Sequence, residues 1–408
     1  MNLLILNAGS SSLKFRIFRI TQLHSVSEQE QVLAEGFVER IGTNAASIQY
    51  RIREQTPVSI MVSAHDHTEA VELLLKLLIN HDRSESLKID CTGHRIVHGG
   101  ARFYKPARID SDLLKEIEAL NELAPLHNRS GHAVIAACIA SLPNIPAVAV
   151  FDTGFHHSLP SIASHYAIPS SLAKAHNLRR YGFHGISYKY VSEKLKEEAG
   201  AIPRLILCHL GSGASVCALQ DGQSVDTSMG FTPMEGLMMG TRCGDIDPGL
   251  LLYLLNKDGI SSEELDTILN HQSGLLGLSG ISNDVRDIEM AAQSGNESAL
   301  FALERFSYSI RKYIGAYSAA LGGLDGIGFT GGIGEHSASV RRSVCTGLEY
   351  LGLKIDPEAN DKADGSDLAA IHHSEGKVRI YVIPTDEERQ IARETFALLH
   401  SADGLEGS

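Results

Sequence analysis

A duplicated α/β fold with a ligand cleft between its halves is the architecture this sequence predicts, and three observations carry it. An apolar run, Leu3 to Leu6, delivers the small-residue turn Asn7-Ala8-Gly9-Ser10-Ser11-Ser12-Leu13-Lys14 and a second strand, Lys14–Ile20. The order strand, tight turn, strand returns at Arg204–Cys208, Gly211-Ser212-Gly213 and Ala214–Leu219. A further apolar run leads into Phe329-Thr330-Gly331-Gly332-Ile333-Gly334-Glu335, which reads as another tight turn. Such turns present backbone N–H groups, hydroxyls and a lysine to phosphate. Each alone is no more than a β-turn. Together with the charged groups between them, they point to phosphoryl transfer.

The elements follow in order. Val32–Val38 and Ser47–Arg53 continue the β-rich start, the latter alternating Ile48, Tyr50 and Ile52 on one face. Helical spacing predicts a helix over Thr68–Asn80, with Thr68 as its cap. A strand, Cys91–Val97, leads into Gly99-Gly100, and helices are expected at Ser111–Leu123 and Ser130–Ala140. Pro143 and Pro146 bracket a turn before the buried strand Ala147–Phe151. The second half opens with a helix, Ser187–Glu198, closed by Gly200. Ser261-x-x-Glu264 has the form of a capping box. Asn296–Leu321 reads as a long helix, Gly326–Thr330 and Val378–Ile383 as strands, and Glu387–His400 as the last helix. The small, polar tail Ser401–Ser408 is expected to fray.

At 408 residues there is chain enough for two domains, and 43% apolar with 21% charged residues is a globular composition. The apolar run around Val71 to Ile79 is broken by Glu72 and Lys76, so no transmembrane span or membrane partner is expected. The N-terminus shows no basic leader, and the cytoplasm is the expected address. A net charge of −13 argues against a nucleic-acid partner but leaves room for local arginines to hold anionic substrates. Six scattered cysteines form no C-x-x-C pair, so reduced thiols and no disulfides are expected.

Five polar clusters place arginine or histidine beside glycine or proline. They are Gly93-His94-Arg95-Ile96-Val97-His98-Gly99-Gly100, Leu123-Ala124-Pro125-Leu126-His127-Asn128, Phe151-Asp152-Thr153-Gly154-Phe155-His156, Arg179-Arg180-Tyr181-Gly182-Phe183-His184-Gly185 and Met239-Gly240-Thr241-Arg242-Cys243-Gly244-Asp245. α/β proteins bind ligands at such strand ends. A migrating phosphoryl group spreads charge over three oxygens and mainly needs cations and hydrogen-bond donors. Arginine also clamps carboxylates, and an Asp with a Glu suits Mg²⁺. A zinc hydrolase is disfavoured: His94 and His98 lie four apart in a strand context, where that spacing makes no chelating face, and no H-E-x-x-H occurs.

From Leu3 to about Leu398 the chain resembles the acetate kinase family, within the group sharing the sugar-kinase, heat-shock-protein-70 and actin fold. The motifs are N-A-G-S-S-S-L-K, G-H-R-I-V-H-G-G, L-A-P-L-H-N, F-D-T-x-F-H, R-R-Y-G-F-H-G, M-G-T-R-x-G-D-I-D-P and G-G-I-G-E, in that order. The resemblance implies two ribonuclease H-like (actin-like ATPase) domains with an interdomain active-site cleft. The first would comprise residues 1–152 plus 388–408. The second, 153–387, would hold the nucleotide. It further implies reversible transfer between ATP and acetate, giving ADP and acetyl phosphate, with Mg²⁺ or Mn²⁺, in a homodimer joined through the second half.

On the family pattern Asn7 and Glu387 serve the metal, and Arg95 binds the substrate carboxylate. Asp152 takes the essential acidic position, His184 and Arg242 stabilise the phosphoryl group in flight, and His127 supports them. Lys14, Ser10 and Ser12 belong with the nucleotide, as do His209, Leu210, Gly211, Ser212, Gly213, Asp284, Val285, Arg286, Gly332, Ile333, Gly334, Glu335 and His336. The apolar substrate pocket maps to Val97, Leu126, Phe183 and Pro233. Propionate-preferring relatives have a smaller residue at the first of these, so Val97 leans toward acetate.

Ser212 replaces the family Asn, shortening one donor near the phosphates. Arg129 replaces Pro, Asp386 and His336 each replace Asn, and Cys243 replaces Ser. The alternatives are a propionate or butyrate kinase, or an ATP-driven binding module of the chaperone or actin type. The latter has no use for Arg95, His184 and Arg242 turned into a cleft. Direct in-line transfer without a phosphoenzyme is the expected mechanism, with the two halves closing on the substrates to exclude water.

Overall fold

A computed structural model describes residues 1–21, 30–81, 87–122, 128–257 and 259–403. The chain forms two compact units, Met1–Gly154 with Asp386–Ser408, and Phe155–Thr385. Glu387 thus falls in the unit that also holds Asn7, Arg95 and Asp152.

The first unit contains β1 (Asn2–Ala8), β2 (Ser12–Ile20), β3 (Glu30–Glu39), β4 (Ser47–Ile52), β5 (Val58–Met61), β6 (Cys91–Ile96), β7 (Ala107–Arg108) and β8 (Ala147–Phe151). They form one sheet in the order β5-β4-β3-β2-β1-β6-β8-β7. β1 to β5 make an antiparallel meander, whereas β6 lies parallel to β1 and β8 parallel to β6. Every residue of β1 and β8 is buried, which is why both read as unbroken apolar runs. Leu4, Leu6, Phe15 and Ile17 pack with Val71, Leu74, Val134 and Cys138 of the helices His67–His81 and Asn128–Ser141.

The second unit contains β9 (Arg204–Leu210), β10 (Ala214–Gln220), β11 (Gln223–Thr227), β12 (Gly326–Thr330), β13 (Ala369–Ala370) and β14 (Arg379–Val382), in the order β11-β10-β9-β12-β14-β13. Here too three antiparallel strands are followed by two parallel ones: β9 is antiparallel to β10 and parallel to β12, which is parallel to β14. The two sheets therefore share a five-strand core, β3-β2-β1-β6-β8 in one and β11-β10-β9-β12-β14 in the other. The repeat of strand, turn and strand seen in the sequence is the start of each core.

Several local expectations need correction. Gly331–His336 is a helix following β12 directly, not a turn. Three glycines would resist helix formation, but the Glu335 carboxylate accepts from the Gly331 N–H at 2.8 Å and from Thr330 Oγ1 at 3.2 Å, fixing the first turn. The helix at 67 is capped by Asp66, whose carboxylate accepts from the Glu69 N–H at 2.9 Å, rather than by Thr68. The last helix runs on from Glu387 to Asp403, so Ser401–Asp403 are helical. The capping box at Ser261 and Glu264 is present in both directions. All six cysteines are free thiols, five of them buried. Among the described residues no helix is long and apolar enough to cross a membrane.

Candidate active site

In the first unit, β1, β6 and β8 run parallel and finish side by side, so Asn7, Arg95 and Asp152 arrive at one sheet edge. Arg95 donates through Nε (3.0 Å) and Nη2 (2.5 Å) to Asp152 Oδ2, and through Nη1 to Asn7 Oδ1 (3.1 Å). Asn7 Nδ2 in turn donates to Glu387 Oε2 (3.2 Å) and Glu388 Oε1 (2.9 Å), the first residues of the last helix. Burial opposes the charge on Arg95, but Asp152 and Glu387 outweigh it and raise the guanidinium pKa above its ordinary value. Arg95 is therefore a fixed cation, and Asp152 is fully buried beneath it.

Gly93 lets the last helix reach this edge. A Cβ there would stand 2.5 Å from Thr395 Oγ1, 2.8 Å from Ile5 Cδ1 and 3.0 Å from Ile391 Cγ2. Close approach of that helix to β6 puts Glu387 and Glu388 beside Asn7. The oxygens of Asn7, Asp152, Glu387 and Glu388 are hard donors in one hydrogen-bonded cluster and fit Mg²⁺, which takes a few protein oxygens and completes its shell with phosphate and water. Among the described residues, no three His, Cys, Asp or Glu side chains are arranged to hold a metal by themselves.

The turn after β1 is closed by the Gly9 N–H donating to the Ser12 carbonyl at 2.8 Å. Ser10 and Lys14 are exposed, Ser12 partly so. Val97 is buried just past β6. Leu126 and His127 lie outside the described residues.

In the second unit, His184 takes φ 60° at the start of the helix Gly185–Ala199. Such a left-handed conformation is strained for histidine and marks a position held by its surroundings. Its ring stacks on His209 at 4.2 Å between centroids. A Cβ placed on Gly213 would lie 3.5 Å from His184 Nε2 and 3.7 Å from Arg242 Nη1. An imidazole nitrogen and a guanidinium N–H thus both approach one spot with no side chain. Arg242 Nη1 also donates to the Pro233 carbonyl at 3.0 Å, bringing a residue of the expected acid pocket to it. Burial lowers the Arg242 pKa, yet a guanidinium stays charged. Phe183, buried, has its carbonyl 3.0 Å from His156 Nε2. Burial pushes His156 down to about 4, so it is a neutral internal strut.

A cavity of about 490 Å³ opens in the same unit, lined by Gly211, Ser212, Asn283, Asp284, Val285, Arg286, Glu289, Gly332, Ile333, His336 and Ser337. Its size suits a nucleotide portion. Eight of the residues the resemblance implied, from three separate stretches, line this one space. Leu210, Gly213, Gly334 and Glu335 do not, and His209 instead hydrogen-bonds Ser187 Oγ through Nδ1 at 2.8 Å. Glu335 is committed internally: its Oε1 also accepts from the Thr385 N–H at 3.0 Å. Asp284 caps the helix Val285–Gln293 and its pKa is held down by Arg286, which folds back on it. Asn283, Glu289 and Ser337 were missed in the sequence, though Asn283 and Ser337 adjoin stretches that were read and Glu289 lies about one helical turn beyond one.

Residues 2–393 match the acetokinase family. An acetate kinase of Clostridium botulinum is 44% identical over 98% of this chain and all of its own length. The crystal structure of Porphyromonas gingivalis acetate kinase superposes with a TM-score of 0.88 at 39% identity, covering 98% of this chain and 99% of that one. A propionate kinase from Francisella tularensis gives the same TM-score at 40% identity, covering 96% and 98%. Fold, site and relatives define a kinase of the α/β class built on two ribonuclease H-like sheets. The chain belongs to the acetokinase family.

Proposed function

We propose that this enzyme transfers the γ-phosphoryl group of ATP reversibly and directly to acetate, giving ADP and acetyl phosphate. A carboxylate oxygen attacks γ-phosphorus as the bond to the β-phosphate oxygen breaks, and ADP leaves with that electron pair. Acetate is already anionic at neutral pH, so no proton need be removed and no general base is required. The demand falls on positioning and on charge stabilisation. The observation that carries the reading is that His184 Nε2 and Arg242 Nη1 both approach Gly213, 3.5 Å and 3.7 Å from where a Cβ would stand. Two donors at one spot suit a phosphoryl group in transit; an ATP-driven binding module has no need of them.

Arg95, fixed by Asp152 and Asn7, binds the acid's carboxylate. The cavity at Gly211, Ser212, Asp284 and Gly332 takes the nucleotide, with the hydroxyl of Ser212 replacing a longer amide. Asn7 and Glu387 would hold Mg²⁺, or Mn²⁺ in its place. When bound, the ion offsets charge on the phosphates. Lys14, Ser10 and Ser12, on the turn after β1, are assigned to the nucleotide.

Val97 sets the acid pocket for acetate. One methylene in an apolar pocket is worth only about 1–3 kcal/mol, so propionate remains a substrate. Trapping the acyl phosphate as hydroxamate, with acetate, propionate and butyrate supplied separately, tests this. Highest kcat/KM on acetate supports the assignment. A preference for propionate transfers it to the second acid and removes the argument from Val97.

We also infer a homodimer through the second unit. The helix Pro248–Lys257 is supported as its contact surface because it buries none of its residues, while Leu250, Leu252, Tyr253 and Leu255 stand exposed. Four large apolar side chains on one short helix are an interface signature. The cytoplasm is the compartment we assign.

A further inference from the structure

The usefulness of His184 as a donor to the phosphoryl group depends on where its proton sits. Stacking on His209 sets the plane of the ring but not which nitrogen carries the hydrogen. That is decided by what the other nitrogen meets. Nδ1 lies 2.9 Å from Ser215 Oγ, and the same oxygen lies 2.6 Å from the Tyr188 hydroxyl. Ser215 and Tyr188 are both fully buried, on β10 and on the helix that His184 opens.

The direction of this chain follows from acidity. A phenol (pKa about 10) is a far stronger acid than an aliphatic alcohol, so between the two hydroxyls it is the donor. Burial raises the Tyr188 phenol well above its ordinary value, which keeps it protonated. Tyr188 O–H therefore donates to Ser215 Oγ, and Ser215 directs its own proton to His184 Nδ1. A neutral imidazole that accepts at Nδ1 must carry its hydrogen on Nε2. Nε2 is the atom that faces the space beside Gly213 and Arg242. The opposite tautomer would aim a lone pair at phosphoryl oxygens, a repulsion where an attraction is needed.

We propose that Tyr188 and Ser215 are positioning residues that hold His184 as its Nε2–H tautomer, so that the imidazole donates to the transferring phosphoryl group. This rests on the role given to His184 above. Both act through His184 and touch no substrate.

The test uses the full-length protein labelled with ¹⁵N-histidine. Long-range ¹H–¹⁵N spectra distinguish the two tautomers, and the His184 signals are assigned by their loss in His184→Ala. The expected result is an Nε2–H ring in the unaltered protein and a mixed population in Ser215→Ala and Tyr188→Phe. In both variants kcat should fall about tenfold or more, while KM for ATP changes less than about twofold, because a transition-state donor is weakened and ground-state binding is not. An Nδ1–H ring in the unaltered protein overturns the proposal. So do two variants with unaltered tautomer and kcat, provided His184→Ala is impaired. Full activity in His184→Ala would remove the role of His184 itself, and the relay with it.

Discussion

Among single residues, the two arginines are held in different company. Arg95 rests on Asp152 with Glu387 at 4.0 Å, so its cation is built into a carboxylate network and its pKa is raised. Arg242 donates to a main-chain carbonyl, and burial alone lowers its pKa. The first arrangement suits a permanent clamp on a substrate carboxylate; the second holds Arg242 beside Gly213, where we place the phosphoryl group in transit. Arg242→Ala should therefore lower kcat by about 10³-fold or more while the Kd for ATP, read by calorimetry, changes only a few-fold. Arg242→Lys should restore little, since a point charge cannot reproduce the planar donor pair. Loss of ATP binding in either variant would assign Arg242 to the nucleotide instead. The charged groups were legible one by one in the sequence because each lies in a short cluster with glycine or proline, though only Arg95 and Asp152 of them stand at strand ends. Ser215 and Tyr188 were not, because a buried hydroxyl inside an ordinary apolar pattern carries no local signal.

Among elements, the placement of the last helix matters most. It reaches the edge where Asn7 lies only because β6 has no side chain at position 93. Gly93→Ala overpacks that contact at a cost of about 1–3 kcal/mol, and its thermal unfolding midpoint should fall by several degrees. Displacement of Glu387 and Glu388 should also raise the Mg²⁺ concentration needed for half-maximal rate. A variant with unchanged midpoint and unchanged Mg²⁺ dependence would show that the helix tolerates the shift. Strands β1, β9 and β10 were readable because almost fully buried runs border short turns, and β2 because buried Leu13, Phe15 and Ile17 alternate with Lys14 and Arg16. The helix Gly331–His336 was hidden, since what stabilises it is a capping carboxylate four residues downstream of its first glycine. The helix Pro248–Lys257 was hidden for another reason: Leu250 to Leu255 is one continuous apolar run, and a continuous run has no period.

For the whole molecule, the repeated five-strand core explains why one chain carries two similar strand–turn–strand openings with different duties. The first unit gathers carboxylates and Arg95 at the ends of β1, β6 and β8. The second gathers His184, Arg242 and the cavity to which we assign the nucleotide around β9, β10 and β12. The order of motifs along the chain was legible; the shared strand order was not, because pairing between distant strands leaves no mark in local pattern. The exposed leucine helix belongs to this scale too. Sedimentation should show a dimer, and Leu252→Glu with Tyr253→Lys should shift it toward monomer without unfolding either unit. A protein that sediments as a monomer before any change would refute the assignment of that helix.

The central claim is direct transfer from ATP to a carboxylate. Its most direct test is the stereochemical course at phosphorus, using ATP made chiral at the γ-position with oxygen isotopes and acetate as acceptor. One displacement inverts phosphorus, and the account predicts acetyl phosphate of inverted configuration. Retention would require two displacements and a phosphoenzyme, and ATP turnover without any acyl phosphate would remove the carboxylate as acceptor; either result contradicts the account.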